Sequence, residues 1–458
     1  MKHTTRKKLR DYQVQMFCYA KKRAHFALFA EMRLGKTLTA IRIVNSYKEN
    51  ERNLVLVVAP FSAWDGWATD LHDEGIELHH IDGIKSQRLR ILKDAKSGWY
   101  ITNYEAWRSI GKELINTEWN VCILDESDII KNPKAKVSKF FTSHFRDVDH
   151  RGILTGTPDP ESDLDFYQQV RFQNENIFKE KTFYQFRHNW CEPHGLYGFR
   201  IRRTLHDKFR RTLAANCFFI KRSDVNLGGK QIIQKRYVKL DSKHRAMYDT
   251  LEREFILESF EDNVFKSTME SFAAYIWQRQ LASGIVDNRL SWRGKVDELV
   301  DIVVKQLPHE QIVIWASFDA ELYAIEEAMN KNSVSCKVLN GKVDHKTRTQ
   351  YKREFQKGKF RVLIIQPEIF KYGTDLSAAS TLIYYSLPVS AKTYRQSKDR
   401  TIDIAKANGV LIIYLLSKDT VDEDICETLE KKLSRSAFNH ALARAMHDRQ
   451  SKRNTKEI

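Results

Sequence analysis

The chain has 458 residues, 42% of them hydrophobic, with 76 Lys and Arg against 59 Asp and Glu, a formal charge of +17 and a pI near 9.4. That length builds two or three domains with sizeable cores, and the apolar share excludes general disorder. The basic excess favours a polyanionic partner, most commonly nucleic acid, and the six cysteines lack the paired spacing of a disulfide framework or a zinc site.

The basic start MKHTTRKKLRDYQ has no apolar signal core. No run reaches the ~20 apolar residues of a membrane span, so a cytoplasmic protein with no membrane role is expected. LRDYQVQ leads into a helix through Ala20, and AHFALFA reads as a buried strand. AEMRLGKT, residues 30–37, then reads as a phosphate-binding loop, with TLTAIRIVNSYK as the helix behind it. In that loop Gly35 lets the backbone approach phosphate oxygens, Lys36 supplies a point charge, and the Thr37 hydroxyl can ligate magnesium. Beside it the amide of Gln13, both donor and acceptor, is a candidate for reading an adenine edge.

LVLVVAP, residues 54–60, is a continuous apolar run of strand length, followed by FSAWDGW and a helix. A strand at Trp99–Thr102 comes next, then VCIL with LDESD at residues 124–128, then RGILTGTP at 151–158. Asp125 and Glu126 fall at a strand end, where Asp125 can hold a metal ion and Glu126 can polarise an attacking water. Together with the loop they make a nucleotide hydrolase the leading reading. Thr155 and Thr157 either form the turn of LTGTP or couple it to the site, and His72, His79 and His80 read as surface residues. Strands alternating with helices predict a parallel sheet with function at the strands' carboxyl ends.

Residues 161–235 are mixed, aromatic and basic, and 241–283 read as long helices. The α/β alternation restarts with strands at 311–317, CKVLNG, 361–366, 381–387 and 409–417, alternating with helices at AELYAIEEAMN and KTRTQYKREFQKG. The expected domains are a first lobe over 1–235, with 161–235 as its helical and basic extension, and a helical connecting segment over 236–300. A second lobe follows over 301–430, with a basic tail over 431–458.

Motif by motif over most of residues 8–426, the chain resembles superfamily 2 helicases of the Swi/Snf-type DNA translocase branch. LRDYQ resembles the adenine-recognition motif, EMRLGKT motif I, APFSAWDGW motif Ia, TNYE motif Ib and LDESDIIKN motif II. LTGTP is similar to motif III, FFIKRSDV to the segment closing the first lobe, GTDLSAASTLIYY to motif V and YRQSKDR to motif VI. The resemblance implies an α/β fold of two RecA-like parallel-sheet lobes with helical insertions between them. It implies ATP and Mg2+ as cofactors, held by Gln13, Arg33, Leu34, Gly35, Lys36 and Thr37 in the first lobe and by Gly373, Asp375, Gln396 and Arg400 in the second. Thr37 and Asp125 take the magnesium, and Lys36, Asp125, Glu126 and Arg400 form the catalytic set. Ser62, Trp64, Tyr104, Lys342, Arg348 and Thr374 are the nucleic-acid candidates, with Trp64 and Trp67 open to base stacking or to core packing.

Three departures stand out. Arg33 takes the place of a motif I glycine, motif II ends Ser127-Asp128 in place of Ala-His, and Asp403 stands where motif VI carries a second arginine. Arg400, or Arg395 as its substitute, is then the γ-phosphate arginine. The compact plan is most like phage-encoded helicases acting on forks and branched DNA, which implies duplex, forked or branched DNA as partner, replication or recombination proteins beside it, a monomer, and a host-cell cytoplasmic location. The rivals are a catalytically weak nucleic-acid-binding scaffold and a motor of the same fold serving RNA or a restriction complex.

Overall fold

The computed structural model describes residues 7–48, 51, 53–156, 162–194, 198–225, 231–261, 268–367, 376–399 and 409–430, with side chains at 254–274, 345, 391–392 and 399 left aside. The chain forms two compact units, Met1–Leu227 and Gly228–Ile458.

In the first unit helix α1 (Asp11–Ala20) precedes β1 (His25–Ala30), and α2 (Lys36–Asn45) follows it. Then come β2 (Leu54–Val58), α3 (Trp64–Asp73), β3 (Leu78–His80), β4 (Gly98–Thr102), β5 (Val121–Leu124) and β6 (His150–Thr155). A small hairpin, β7 (Cys191–His194) with β8 (Gly198–Ile201), and β9 (Phe218–Ile220) complete the unit. The sheet order is β3-β4-β2-β5-β6-β1-β9, every pair parallel. Strand alternation splits each strand between two cores. On β1, Phe26, Leu28 and Ala30 join the cluster around Trp64, Trp67 and α2, while Ala27 and Phe29 join the one around Phe141 and Phe166. Because both faces are covered, the central strands are the unbroken apolar runs that a parallel sheet requires. The order brings the ends of β1, β6 and β5 side by side.

The second unit repeats the plan. Its strands are β10 (Gln231–Val238), the short hairpin β11 (Ile285–Val286) and β12 (Arg289–Leu290), β13 (Ile312–Trp315), β14 (Cys336–Leu339), β15 (Val362–Ile365), β16 (Thr381–Tyr384) and β17 (Val410–Ser417). The sheet order is β10-β17-β16-β13-β15-β14, again all parallel. One expected boundary moves. The end of the segment assigned to the first lobe, through residue 235, supplies β10, which pairs along its length with β17 in the second sheet. Its Ile232, Ile233 and Tyr237 are exposed, as on an edge strand, so its alternating sequence carried no core signal. Among the described residues no helix is long and apolar enough to cross a membrane.

A buried ion pair ties the second unit together. Lys295 Nζ lies 2.9 Å from Asp422 Oδ2 and 5.1 Å from the centre of the Tyr385 ring, and the same carboxylate oxygen accepts the Ser417 amide. Asp422→Ala would strand the buried ammonium, so urea unfolding of the variant is expected to show a loss of about 3–5 kcal/mol. His25, at the start of β1, carries a different signature. Burial first, and then the neighbouring Arg151 charge, push its pKa down to about 4 from the usual 6.5. The neutral ring accepts from Arg151 Nη2 at 3.2 Å. A depressed histidine contributes stability that is present above its unfolded pKa and lost as pH falls toward the folded one. The thermal midpoint is therefore expected to fall between about pH 6.5 and pH 4, and His25→Gln to flatten that slope.

Candidate functional site

The loop between β1 and α2 turns through two left-handed residues, Arg33 at φ 66° and Gly35 at φ 72°. Gly35 takes that turn without strain, and a Cβ there would displace the end of the Gln13 side chain, whose Nε2 would lie 2.0 Å away. Arg33 adopts the same backbone region with a side chain attached, which explains why a glycine is the usual residue there in the resembling motif. Lys36 opens α2, and its ammonium donates to the carbonyls of Ala30 at 2.9 Å and Glu31 at 3.4 Å. Thr37 follows in the first turn, Leu34 is fully buried, and the Thr39 hydroxyl binds the Gly35 carbonyl at 2.9 Å. Gln13 is buried on α1. Its Oε1 accepts the Arg10 amide at 2.8 Å, and its Nε2 reaches the Gly35 carbonyl at 3.5 Å.

At the end of β5, Asp125 is buried and tightly held. Trp67 Nε1 donates to Oδ2 at 2.8 Å, the Glu126 amide donates to Oδ1 at 2.9 Å, and the Tyr104 hydroxyl donates to the Asp125 carbonyl at 2.8 Å. Burial pushes the Asp125 carboxyl above the usual carboxylate range, while the Trp67 donor, the Lys36 charge and the Glu126 amide pull the other way. Burial, reinforced by the Asp125 charge, likewise pushes the Tyr104 phenol well up. Glu126 is buried and sits in the left-handed region at φ 52°, a conformation that costs a residue with a side chain of order 1–3 kcal/mol. It faces the end of β6. A Cβ on Gly156 would lie 3.6 Å from Glu126 Oε1 and 2.8 Å from Met32 Cγ. The structure thus gathers the phosphate loop, the acidic pair and the first half of LTGTP at three adjacent strand ends.

The set fits a magnesium nucleotide. Lys36 and the amino end of α2 offer cationic and amide groups to a polyphosphate, and the Thr37 hydroxyl and the Asp125 carboxylate are oxygen donors of the kind magnesium takes.

Other expectations fare differently. Trp64 is buried, with its indole donating to the Ala59 carbonyl at 3.1 Å, and Tyr104 is buried and wired to Asp125. Neither ring faces outward to meet nucleic acid; both fill the apolar layers beside the sheet. Trp67 is likewise core. Ser62 lies half-exposed in the short turn Phe61–Ala63. In the second unit Lys342 is exposed and pairs with Asp319 at 3.0 Å, and Arg348 donates to the carbonyls of Asn340 at 3.1 Å and Gly341 at 2.9 Å. Gln396 is buried in the helix Ala391–Asp399. Thr157, Gly373, Thr374, Asp375, Arg400 and Asp403 lie outside the described residues.

Contacts that the sequence reading did not assign complete the site. The Arg222 amide binds Glu31 Oε2 at 2.8 Å and its Nε binds the Met32 carbonyl at 3.1 Å, so the segment after β9 clasps the phosphate loop. Ser127 Oγ donates to Gln169 Oε1 at 2.7 Å inside the unit, tying motif II to the helix Asp165–Gln173. FFIKRSDV and FSAWDGW were the visible signals for Arg222 and Trp67, but their partners are distant in sequence.

The family described as SNF2-related domain matches residues 12–284, and the helicase conserved C-terminal domain matches residues 294–405. The chain is 24% identical over 459 residues to protein p41 of Acyrthosiphon pisum secondary endosymbiont phage 1, covering 92% of this chain and 94% of that one. It is 23% identical over 436 residues to the Caenorhabditis elegans homolog of SWI/SNF-related matrix-associated actin-dependent regulator of chromatin subfamily A-like protein 1, covering 93% of this chain but 61% of the relative. To an uncharacterised ATP-dependent helicase of Mycoplasma genitalium it is 21% identical, covering 88% of this chain and spanning 39% of the relative's length. Among solved structures, the Sulfolobus solfataricus SWI2/SNF2 ATPase core in complex with dsDNA aligns with a TM-score of 0.44 at 21% identity, covering 94% of this chain and 92% of that chain.

Trp67→Phe keeps an aromatic ring but removes the N–H from a buried carboxylate and leaves a small cavity where the rest of the indole lay. Urea unfolding is expected to show a loss of about 1–3 kcal/mol, the cost of leaving such a group short of a donor.

Proposed function

The chain belongs to the SNF2-related family, and from that premise we propose that it is an ATP-driven DNA translocase or helicase. The observation that carries the reading is the placement of Lys36, at the head of α2, within electrostatic reach of the buried Asp125 at the end of β5. A cation and a desolvated carboxylate held at the ends of the two strands that flank β6 are what a magnesium-bound triphosphate needs for charge neutralisation.

In this reading Lys36 binds the phosphates, Thr37 and Asp125 hold Mg2+, and Glu126 orients the attacking water. Gln13 contacts the base, and Arg400 of the second unit meets the γ-phosphate. ATP binding and hydrolysis switch the motor's hold on the nucleic acid, so alternating grips move it along a backbone. The substrate is duplex, forked or branched DNA, tracked by phosphate contacts without base readout. The +17 charge supports that assignment.

The test is steady-state ATP hydrolysis at fixed salt with no nucleic acid, single-stranded DNA, duplex DNA, forked DNA and RNA. Wild-type turnover is expected to rise with forked or duplex DNA above RNA, and Lys36→Ala to fall at least ~100-fold, the scale of losing one charge-stabilising group. Turnover no higher than that of Lys36→Ala on every substrate would overturn the motor and leave a binding scaffold.

A further inference from the structure

Between residues 178 and 216 the first unit carries a small module that the nucleotide site does not use. It comprises the helix Phe183–Trp190, the β7–β8 hairpin and the helix His206–Asn216. Its interior is aromatic. Phe178 stacks on Phe209 at 5.5 Å, Phe186 stacks on Trp190 at 6.1 Å, and all four rings are buried. Its surface is basic, with nine Lys and Arg against three Asp and Glu over residues 179–211. Two of the three carboxylates are engaged inside the module. Glu180 accepts from the Trp190 indole at 2.9 Å, and Glu192 accepts from Arg200 at 2.8 Å. The outward face is therefore cationic, with Lys181, Arg203, Arg210 and Arg211 exposed.

One ring of the module stands out. Tyr184 is 70% exposed although its helix otherwise turns its aromatics inward. Arg187 is set beside it, with its guanidinium 5.6 Å from the Tyr184 ring and 4.4 Å from the Phe199 ring. Lys208 sits 5.3 Å from the Trp190 ring. Arg202 is fixed by donating to the carbonyls of Cys191 at 2.9 Å and His188 at 2.7 Å, which clamps hairpin to helix. An exposed aromatic ring with a guanidinium beside it, on a module rich in exposed cations, has the two components of a single-strand site. The ring stacks a base, which a paired base inside a duplex cannot offer, and the cations follow the phosphates.

We propose that this module binds an unpaired nucleic-acid strand, with Tyr184 as the stacking platform and Arg187, Arg203, Lys208 and Arg211 as backbone contacts. The proposal rests on the nucleic-acid motor reading and names a second contact for its substrate, apart from the nucleotide site. Duplex alone would use the cations but leave Tyr184 idle.

The test is fluorescence anisotropy with labelled oligo-dT of about 20 nucleotides, longer than a site of ~4–16 nucleotides, and with a duplex of equal length, across a salt series. The proteins compared are wild type, Tyr184→Ala and the triple variant Arg203→Ala/Lys208→Ala/Arg211→Ala, each checked for an unchanged thermal midpoint and unchanged ATP hydrolysis without DNA. Tyr184→Ala is expected to weaken oligo-dT binding about tenfold with little effect on duplex. The triple variant is expected to make the log–log salt dependence shallower by about 2, at ~0.7 per lost single-strand contact. If both variants bind oligo-dT like wild type with the same slope, the module is not a strand site. If Tyr184→Ala weakens duplex and oligo-dT equally, the single-strand assignment is overturned. A wild type that binds neither probe would instead overturn the motor reading beneath it.

Discussion

The first unit depends on keeping one carboxylate ionisable where water is scarce. Asp125 is buried, and burial alone would favour its neutral form. Three groups act against that: an indole N–H from α3, the amide of Glu126 and the Lys36 charge from α2. Each comes from a different part of the chain, and each constrains where its element sits. The parallel sheet is the device that brings them together, since the loops after β1, β6 and β5 emerge on the same side of adjacent strands. Packing and chemistry are therefore not separable here. The Trp67 that fills the core is also the donor that the carboxylate needs.

Much of this was legible in the sequence. Central strands such as LVLVV and VCIL are apolar throughout because both faces are covered, and the loop and acidic motifs mark their ends. The edge strands were less legible. β3 has half-exposed and exposed positions only, and β10 alternates exposed with half-exposed residues. Trp64 and Tyr104 show a second limit. A ring open to nucleic acid and a ring that fills a core beside a polar partner are the same letter, and only the third dimension separates an outward Tyr184 from an inward Tyr104. The Arg222 contacts to Glu31 and Met32 span the whole unit, and no local pattern announces them.

The departures from the family's motifs have local explanations. Arg33 keeps the left-handed turn that a glycine would adopt freely, accepting backbone strain in exchange for a cation at the loop. Ser127 is buried and spends its hydroxyl on Gln169, so the change from alanine adds a link to the helix behind the sheet. Gln169 in turn reaches the Asp165 carbonyl, and Lys131 pairs with the Asp165 carboxylate at 3.2 Å, so the residues after the acidic pair are anchored at two points on one helix.

The clasp of Arg222 on the phosphate loop has a consequence for how the protein is made. Strand β9 adds to the free edge of β1, and the two Arg222 bonds reach back to residues 31 and 32 from the far end of the unit. During synthesis the loop and its sheet neighbours leave the ribosome long before their last fastening exists. The nucleotide site therefore stays open along one side until the chain beyond residue 222 has emerged, and a nascent chain that stops short of it has the motif without the finished cradle. Synthesis itself thereby sets the order in which the parts appear: β1 to β6 first, then the module of residues 178–216, then β9 and the fastening of the phosphate loop.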